Sequence, residues 1–138
     1  ALGSKLLDRI DQVNEEKRNL ALYFIDNLSV YSDLHFHRVD DKRHNYHLLA
    51  AQISYGNRDL FIQMMAEQEQ IQCVVQYYPL YRYDLYKKSG YGTANCPNTD
   101  LFFDNMISFP FHHMMEDQDF ELMLSSTKRV LNKLLPKT

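Results

Sequence analysis

Apolar residues recur at helical spacing at both ends of the chain. Between Leu2 and about Leu28 they fall at the three- and four-residue intervals of an α-helix, at Leu6, Ile10, Val13, Leu20, Phe24 and Leu28. The pattern predicts one long amphipathic helix. A small domain covers such a stripe only in part, so the helix either docks on a second domain or subunit or belongs to the core of a self-sufficient domain. A second amphipathic helix is predicted from about Glu116 to Leu134.

The middle of the chain alternates strand-like and helix-like patterns. We predict strands at Leu34 to Arg38, Leu48 to Ile53 and Ile71 to Tyr77, and a helix that starts after Asn57 and ends near Glu69. A strand, a helix and a strand joined by short links indicate an α+β fold, in which helices cover a small sheet.

The segment that follows Pro79 carries a different pattern. It has two glycines and no sustained period, so we predict an irregular loop with one helical turn. A helix then starts at Pro97, with Asn95 or Cys96 as its cap. The sequence ISFPF, residues 107–111, is predicted to be a strand.

Composition narrows the possible functions. At 138 residues and 16.4 kDa the chain has the size of one domain. A net charge of −3, with basic residues spread along the chain, argues against a nucleic-acid partner, and no apolar run is long enough to cross a membrane. Cys73 and Cys96 lack metal-type spacing. Free thiols and no signal segment predict a cytoplasmic protein.

Histidines and tyrosines are the candidate chemical groups. His35, His37, His44 and His47 lie close in sequence, and two imidazoles on one strand face can bind zinc. No cysteine or carboxylate completes a recognisable ligand pattern, so surface or hydrogen-bonded histidines are the alternative. Tyrosines gather in the segment 77–91, where they suit either a sugar site or a protein interface. The residues alone favour binding over catalysis, because they include no recognisable nucleophile with its base.

The order of several motifs resembles a known family. The segments LLDRIDQVNEEKRNLALYF, HNYHLL, FIQMMAEQEQIQCVVQYYPLY and GYGTANCPNTDLFFDNMISFPFHHMMEDQDFELM resemble the C-terminal small domain of the pyridoxal-phosphate (PLP)-dependent nucleotide-sugar aminotransferases of the DegT/DnrJ/StrS type. The likeness runs from Leu2 to about Leu131. It implies that residues 1–138 form a single domain like the small domain of fold-type I PLP enzymes, and that the large PLP-binding domain is absent.

The resemblance also implies the chemistry of the complete enzyme. That enzyme moves an amino group from an amino acid, most often glutamate, to a nucleotide-linked keto sugar, and works as a homodimer. The catalytic Schiff-base lysine lies in the absent domain. We therefore expect no catalytic residue, no bound cofactor and no activity in this chain alone.

The family's substrate-binding residues carry over where the motifs coincide. Tyr46 and His47 stand in a motif similar to the family's aromatic-x-His-Leu strand, at the junction with the active-site cleft. Tyr78 and Tyr81 flank Pro79 in a segment similar to Tyr-x-Pro-Leu-His, although the family commonly has histidine where this chain has Tyr81. His112 ends a motif similar to Ser-Leu-Pro-x-His.

Three readings follow from these observations. The first is the small domain of a sugar aminotransferase. The second is a stand-alone, non-catalytic module that binds sugar nucleotides or regulates another protein. The third is a metal protein built on the histidines of segment 35–47. It is disfavoured because no cysteine or carboxylate completes a ligand pattern with them, and we expect no metal site.

Overall fold

The computed structural model of this chain describes residues 2–39, 41–54 and 56–134. Ala1, Asp40, Tyr55 and residues 135–138 belong to the predicted domain but lie outside the described residues. Within the described part, the helices are α1 Leu2–Leu7, α2 Ile10–Leu28, α3 Arg58–Glu69, α4 Asp84–Lys88, α5 Pro97–Asn105 and α6 Asp117–Leu134, with a 3-10 turn at Leu80–Arg82. The strands are β1 Leu34–Phe36, β2 Leu49–Ile53 and β3 Met106–Phe109.

The strands form one antiparallel sheet in the order β1-β2-β3. Leu34 pairs with Ile53, and Leu49 pairs with Phe109. Because side chains alternate between the two faces of a strand, Leu49, Ala51, Ile53, Ile107 and Phe109 share the first face, which is buried in the core. Ala50, Gln52, Met106 and Ser108 lie on the opposite face, which we call the second face. The predicted α+β class with a small sheet is confirmed.

Three helices cover the first face. Phe24 of α2 is fully buried. The centroid of its ring lies 5.0 Å from that of Phe109 and 5.8 Å from that of Phe120 of α6. Helices α3 and α6 pack together, and the guanidinium of Arg129 donates to the carboxylate of Glu69 at 2.5 Å between Nη2 and Oε2. These contacts place the aromatic core between the sheet and the helix layer.

The N-terminal helix is interrupted, contrary to the single long helix predicted. The helical assignment stops at Leu7 and resumes at Ile10, and Arg9 has a φ of −113°. The apolar stripe is buried only in the C-terminal part of α2, where Phe24 and Leu28 are fully covered. Leu6 is 61% exposed and Ile10 is 43% exposed. The described residues therefore cover only part of the stripe.

The predicted strand Ile71 to Tyr77 is wrong. Within this segment only Val74 pairs with the sheet: its N–H donates to Ser108 O at 3.0 Å, and Ser108 N–H donates to Val74 O at 2.7 Å. The predicted strand ISFPF begins one residue earlier and ends at Phe109, because Pro110 has no N–H for a further ladder bond.

Helix α5 lies over part of the second face and packs against β2. It begins at Pro97 with Cys96 at the cap position, as predicted, although no side chain caps it. The Arg58 guanidinium ties α3 to α5 by donating to Phe103 O at 2.7 Å. On the second face Met106 and Ser108 are buried, at 2% and 1% exposed.

Candidate functional site

Two concavities lie around the segment that leads into β2. The first, which we call the glutamine groove, has a volume of about 350 Å³ and is lined by His47, Leu48, Gln72, Val74, Gln76, Phe109, Pro110 and Phe111. The second, the histidine pocket, has a volume of about 240 Å³ and is lined by Ile25, His37, His44, Tyr46, Leu48, Leu49, Ala50 and Phe102. Leu48 lines both, so the two concavities adjoin.

The pairing of Val74 with Ser108 explains how the glutamine groove is built. Residues that pair directly across antiparallel strands project to the same face, so Val74 projects to the second face with Ser108. In extended backbone, Gln72 and Gln76 project to the same side as Val74. Cys73 points the other way and is 3% exposed. Burial raises the pKa of the Cys73 thiol to about 12.

His47 stands at the edge of the glutamine groove. It lies just before β2, and its backbone N–H donates to Asn45 Oδ1 at 3.0 Å. Its side chain is exposed. Of the five residues that the sequence assigned to substrate binding, His47 is the one that lines this groove.

Tyr46 has a different environment from its neighbour. It is 2% exposed, and its hydroxyl accepts from Val39 N–H at 2.9 Å and donates to Val39 O at 2.8 Å. The His44 ring packs edge-on against it at 4.3 Å. Tyr46 has a φ of +44°, in the left-handed region. These contacts fix the loop that carries His47 and leave the ring at the wall of the histidine pocket.

Tyr78 and Tyr81 belong to a third place, the contact between segment 77–83 and α5. The Tyr78 ring packs edge-on against Tyr83 at 4.8 Å and Phe103 at 5.2 Å. The Tyr81 hydroxyl donates to the Asp100 carboxylate, which also accepts from Arg82. The hydrogen bond from Tyr81, with that from Arg82, holds the pKa of Asp100 below its usual value, and the carboxylate raises the pKa of Tyr81.

His112 lies beyond the end of β3, next to Phe111 of the groove. Its side chain is exposed, and its carbonyl accepts from Met115 N–H at 3.3 Å. Among the concavities formed by the described residues, His47 and Tyr46 line adjoining ones, Tyr78 and Tyr81 contact α5, and His112 is at the surface.

Sequence reasoning missed Gln72 and Gln76. Both lie inside the segment that the sequence predicts as a strand, and no motif marks them. The signal was the alternation Gln72-Val74-Gln76, which places two amides on one side of an extended segment. Only the pairing with Ser108 shows which face of the sheet that side is.

The four histidines of segment 35–47 separate into different environments, with His37 and His44 in the histidine pocket and His47 at the glutamine groove. The rings of His37 and His44 are 6.4 Å apart, and His35 Nε2 lies 3.2 Å from Ser54 Oγ. In residues 2–39, 41–54 and 56–134 no three groups of His, Cys, Asp or Glu come together as metal ligands. Over the same residues no helix has the length and apolarity to cross a membrane.

Comparison with known proteins identifies the family. The family description DegT/DnrJ/EryC1/StrS aminotransferase matches residues 1–127. Because this match covers most of the chain, the chain belongs to that aminotransferase family. No curated protein matches it.

Solved structures share its fold over nearly its whole length. Spr1654 from Streptococcus pneumoniae, classed as a sugar aminotransferase, aligns in its PMP form with a TM-score of 0.82 and 26% identity over 97% of this chain and 34% of its own. Its PLP form aligns equally well, with a TM-score of 0.81. PseC from Helicobacter pylori, an aminotransferase involved in the biosynthesis of pseudoaminic acid, aligns with a TM-score of 0.83 and 19% identity over 96% of this chain and 36% of its own. The chain spans about a third of the length of these proteins.

The two concavities do not fit PLP on their own. Their lining residues include no lysine to bond the cofactor's aldehyde and no carboxylate to pair with its pyridine nitrogen. They offer imidazole, amide and apolar groups, which suit a neutral polar ligand.

Proposed function

We propose that this chain is the C-terminal small domain of a PLP-dependent sugar aminotransferase. The complete enzyme transfers an amino group from an amino acid, with glutamate as the first candidate, to a keto sugar attached to a nucleotide. The observation that carries this proposal is the family match over residues 1–127, supported by fold similarity to aminotransferases about three times longer. PLP chemistry belongs to the rest of such a polypeptide, and residues 1–138 contribute the substrate side.

The proposed substrate surface is formed by the glutamine groove and the adjoining histidine pocket. His47 and the glutamine groove contact the sugar, and Tyr46 holds the loop from which His47 projects. Tyr78 and Tyr81 keep segment 77–83 on α5, with Tyr81 bonded to Asp100. His112 directly follows Phe111, which lines the groove. A neutral imidazole both donates and accepts hydrogen bonds, as a sugar hydroxyl does.

The exposed apolar stripe supports a larger assembly. Leu2 is 76% exposed, Leu6 61% and Leu7 69%, and α1 has no buried residue. We propose that the rest of the polypeptide, the large PLP-binding domain, covers this stripe, and that the enzyme is a cytoplasmic homodimer with its active site at the subunit boundary.

The direct test is turnover by the full-length protein. It is incubated with glutamate and nucleotide-linked keto sugars, and 2-oxoglutarate and the aminated nucleotide sugar are measured by mass spectrometry. Stoichiometric formation of both supports the proposal. Saturable binding of a nucleotide sugar without either product would instead favour the non-catalytic binding or regulatory module.

Tyr81 gives a test that is specific to segment 77–83. We expect Tyr81→Phe to lower turnover of the sugar severalfold, because the phenol no longer holds Asp100, while cofactor absorbance stays unchanged. Tyr91→Phe is the matched control, since Tyr91 is 66% exposed. Unchanged steady-state kinetics in Tyr81→Phe would remove Tyr81 from the site.

A further inference from the structure

Gln72 and Gln76 are the polar side chains that face His47 across the glutamine groove. Gln72 is exposed and Gln76 is half-buried, and within the described residues neither carboxamide makes a hydrogen bond to protein. The backbone beneath the two amides is held by the exchange of both hydrogen bonds between Val74 and Ser108. Two unpaired amides thus project into a concavity from a fixed segment.

We propose that Gln72 and Gln76 determine sugar specificity by binding hydroxyl groups of the sugar ring. This inference rests on the proposed function. A carboxamide donates and accepts hydrogen bonds, so it pairs with a hydroxyl in either direction. It carries no charge, so it favours the neutral sugar over the diphosphate. Leu48 and Val74 supply apolar surface for the C–H faces of the ring.

The spacing of the two glutamines makes their contacts independent. Four residues of extended backbone separate their Cα atoms by about 13 Å. At that distance the two amides bond different hydroxyl groups of the occupant rather than one shared hydroxyl. Effects of substitutions at sites this far apart combine additively in free energy, and so multiply in affinity.

The test uses the full-length enzyme with Gln72→Leu and Gln76→Leu. Leucine has a similar volume but cannot bond a hydroxyl. We expect each variant to raise the KM for the keto sugar about threefold to tenfold, the range for one lost neutral hydrogen bond. The double variant should multiply the two effects. The KM for the amino donor and the cofactor absorbance should not change. Gln118→Leu, on the exposed side of α6, is the matched control.

The outcomes separate this inference from the function on which it rests. If the wild type aminates the sugar and both variants keep its KM, the inference is overturned and the proposed function stands. If the wild type aminates no sugar, the proposed function itself fails. If a leucine variant loses cofactor absorbance, Gln72→Asn and Gln76→Asn replace it. These retract the amide by one methylene, and an unchanged sugar KM in both would equally overturn the inference.

Discussion

Replacing Tyr46 with phenylalanine should release the loop that precedes β2. The substitution removes one oxygen and keeps the ring, so the packing against His44 and the backbone conformation at φ +44° persist. What is lost is a pair of hydrogen bonds, from Val39 N–H and to Val39 O. Each is worth about 0.5–1.5 kcal/mol net, so the free energy of opening this loop should fall by about 1–3 kcal/mol.

Hydrogen exchange, measured by mass spectrometry on peptides that span the loop, reports the change in the free energy of opening at this loop. A loss of 1–3 kcal/mol corresponds to an increase of about fivefold to a hundredfold in the exchange rate of the Val39 amide. Tyr31→Phe is the matched control, because its hydroxyl donates to the exposed Asn132 side chain at 3.2 Å. If Tyr46→Phe accelerates exchange no more than Tyr31→Phe accelerates its own neighbours, the hydroxyl of Tyr46 does not hold the loop.

Three further predictions concern the core, an ion pair and the thiols. Phe24→Ala should destabilise the fold by about 3–5 kcal/mol in urea unfolding, because its fully buried ring contacts other core rings; unfolding at the wild-type midpoint would contradict this. Hydrogen bonds from Arg129 lower the pKa of Glu69, so this stabilisation is present above the unfolded-state pKa and is lost as pH falls through the folded-state pKa. Glu69→Gln should therefore cost about 1 kcal/mol at pH 7 and nothing near pH 2, and a cost independent of pH would refute the ion pair. Alkylation with peptide mapping should modify Cys96 in the native protein and leave Cys73 intact until unfolding, since burial raises the Cys73 pKa to about 12.

The spacing of apolar residues along the chain was sufficient to predict the helices with strong periodicity. Helix α6 carries an apolar face that runs through Phe120, Met123 and Leu131, and it was placed within one residue of its observed start. Helix α3 ends at Glu69 as predicted, and its Phe61 and Met65 are buried. Leu60 of the same helix is 47% exposed. In these helices the hydrophobic period alone specifies which side meets the sheet.

The errors occurred where the outcome depends on distant residues. Segment 71–77 has strand-like composition, but whether it pairs with the sheet depends on β3, and only Val74 does so. The candidate site shows the same limit. The family motif places Tyr46 and His47 together at the site. In the structure the positive φ at Tyr46 and its hydrogen bonds to Val39 bury the Tyr46 side chain in the loop, whereas the His47 side chain lies at the groove. The glutamines that face His47 come from a segment that the local pattern read as a regular strand.

We propose above that this chain is one domain of a longer PLP enzyme. The most direct measurement is the mass of the native polypeptide, recorded before and after borohydride reduction, with peptide mapping of any reduced phosphopyridoxyl group. We expect a polypeptide roughly three times the length of this chain, in line with the third of each relative that it spans, with the group on a lysine outside residues 1–138. A native polypeptide of 16.4 kDa without a phosphopyridoxyl group would contradict it.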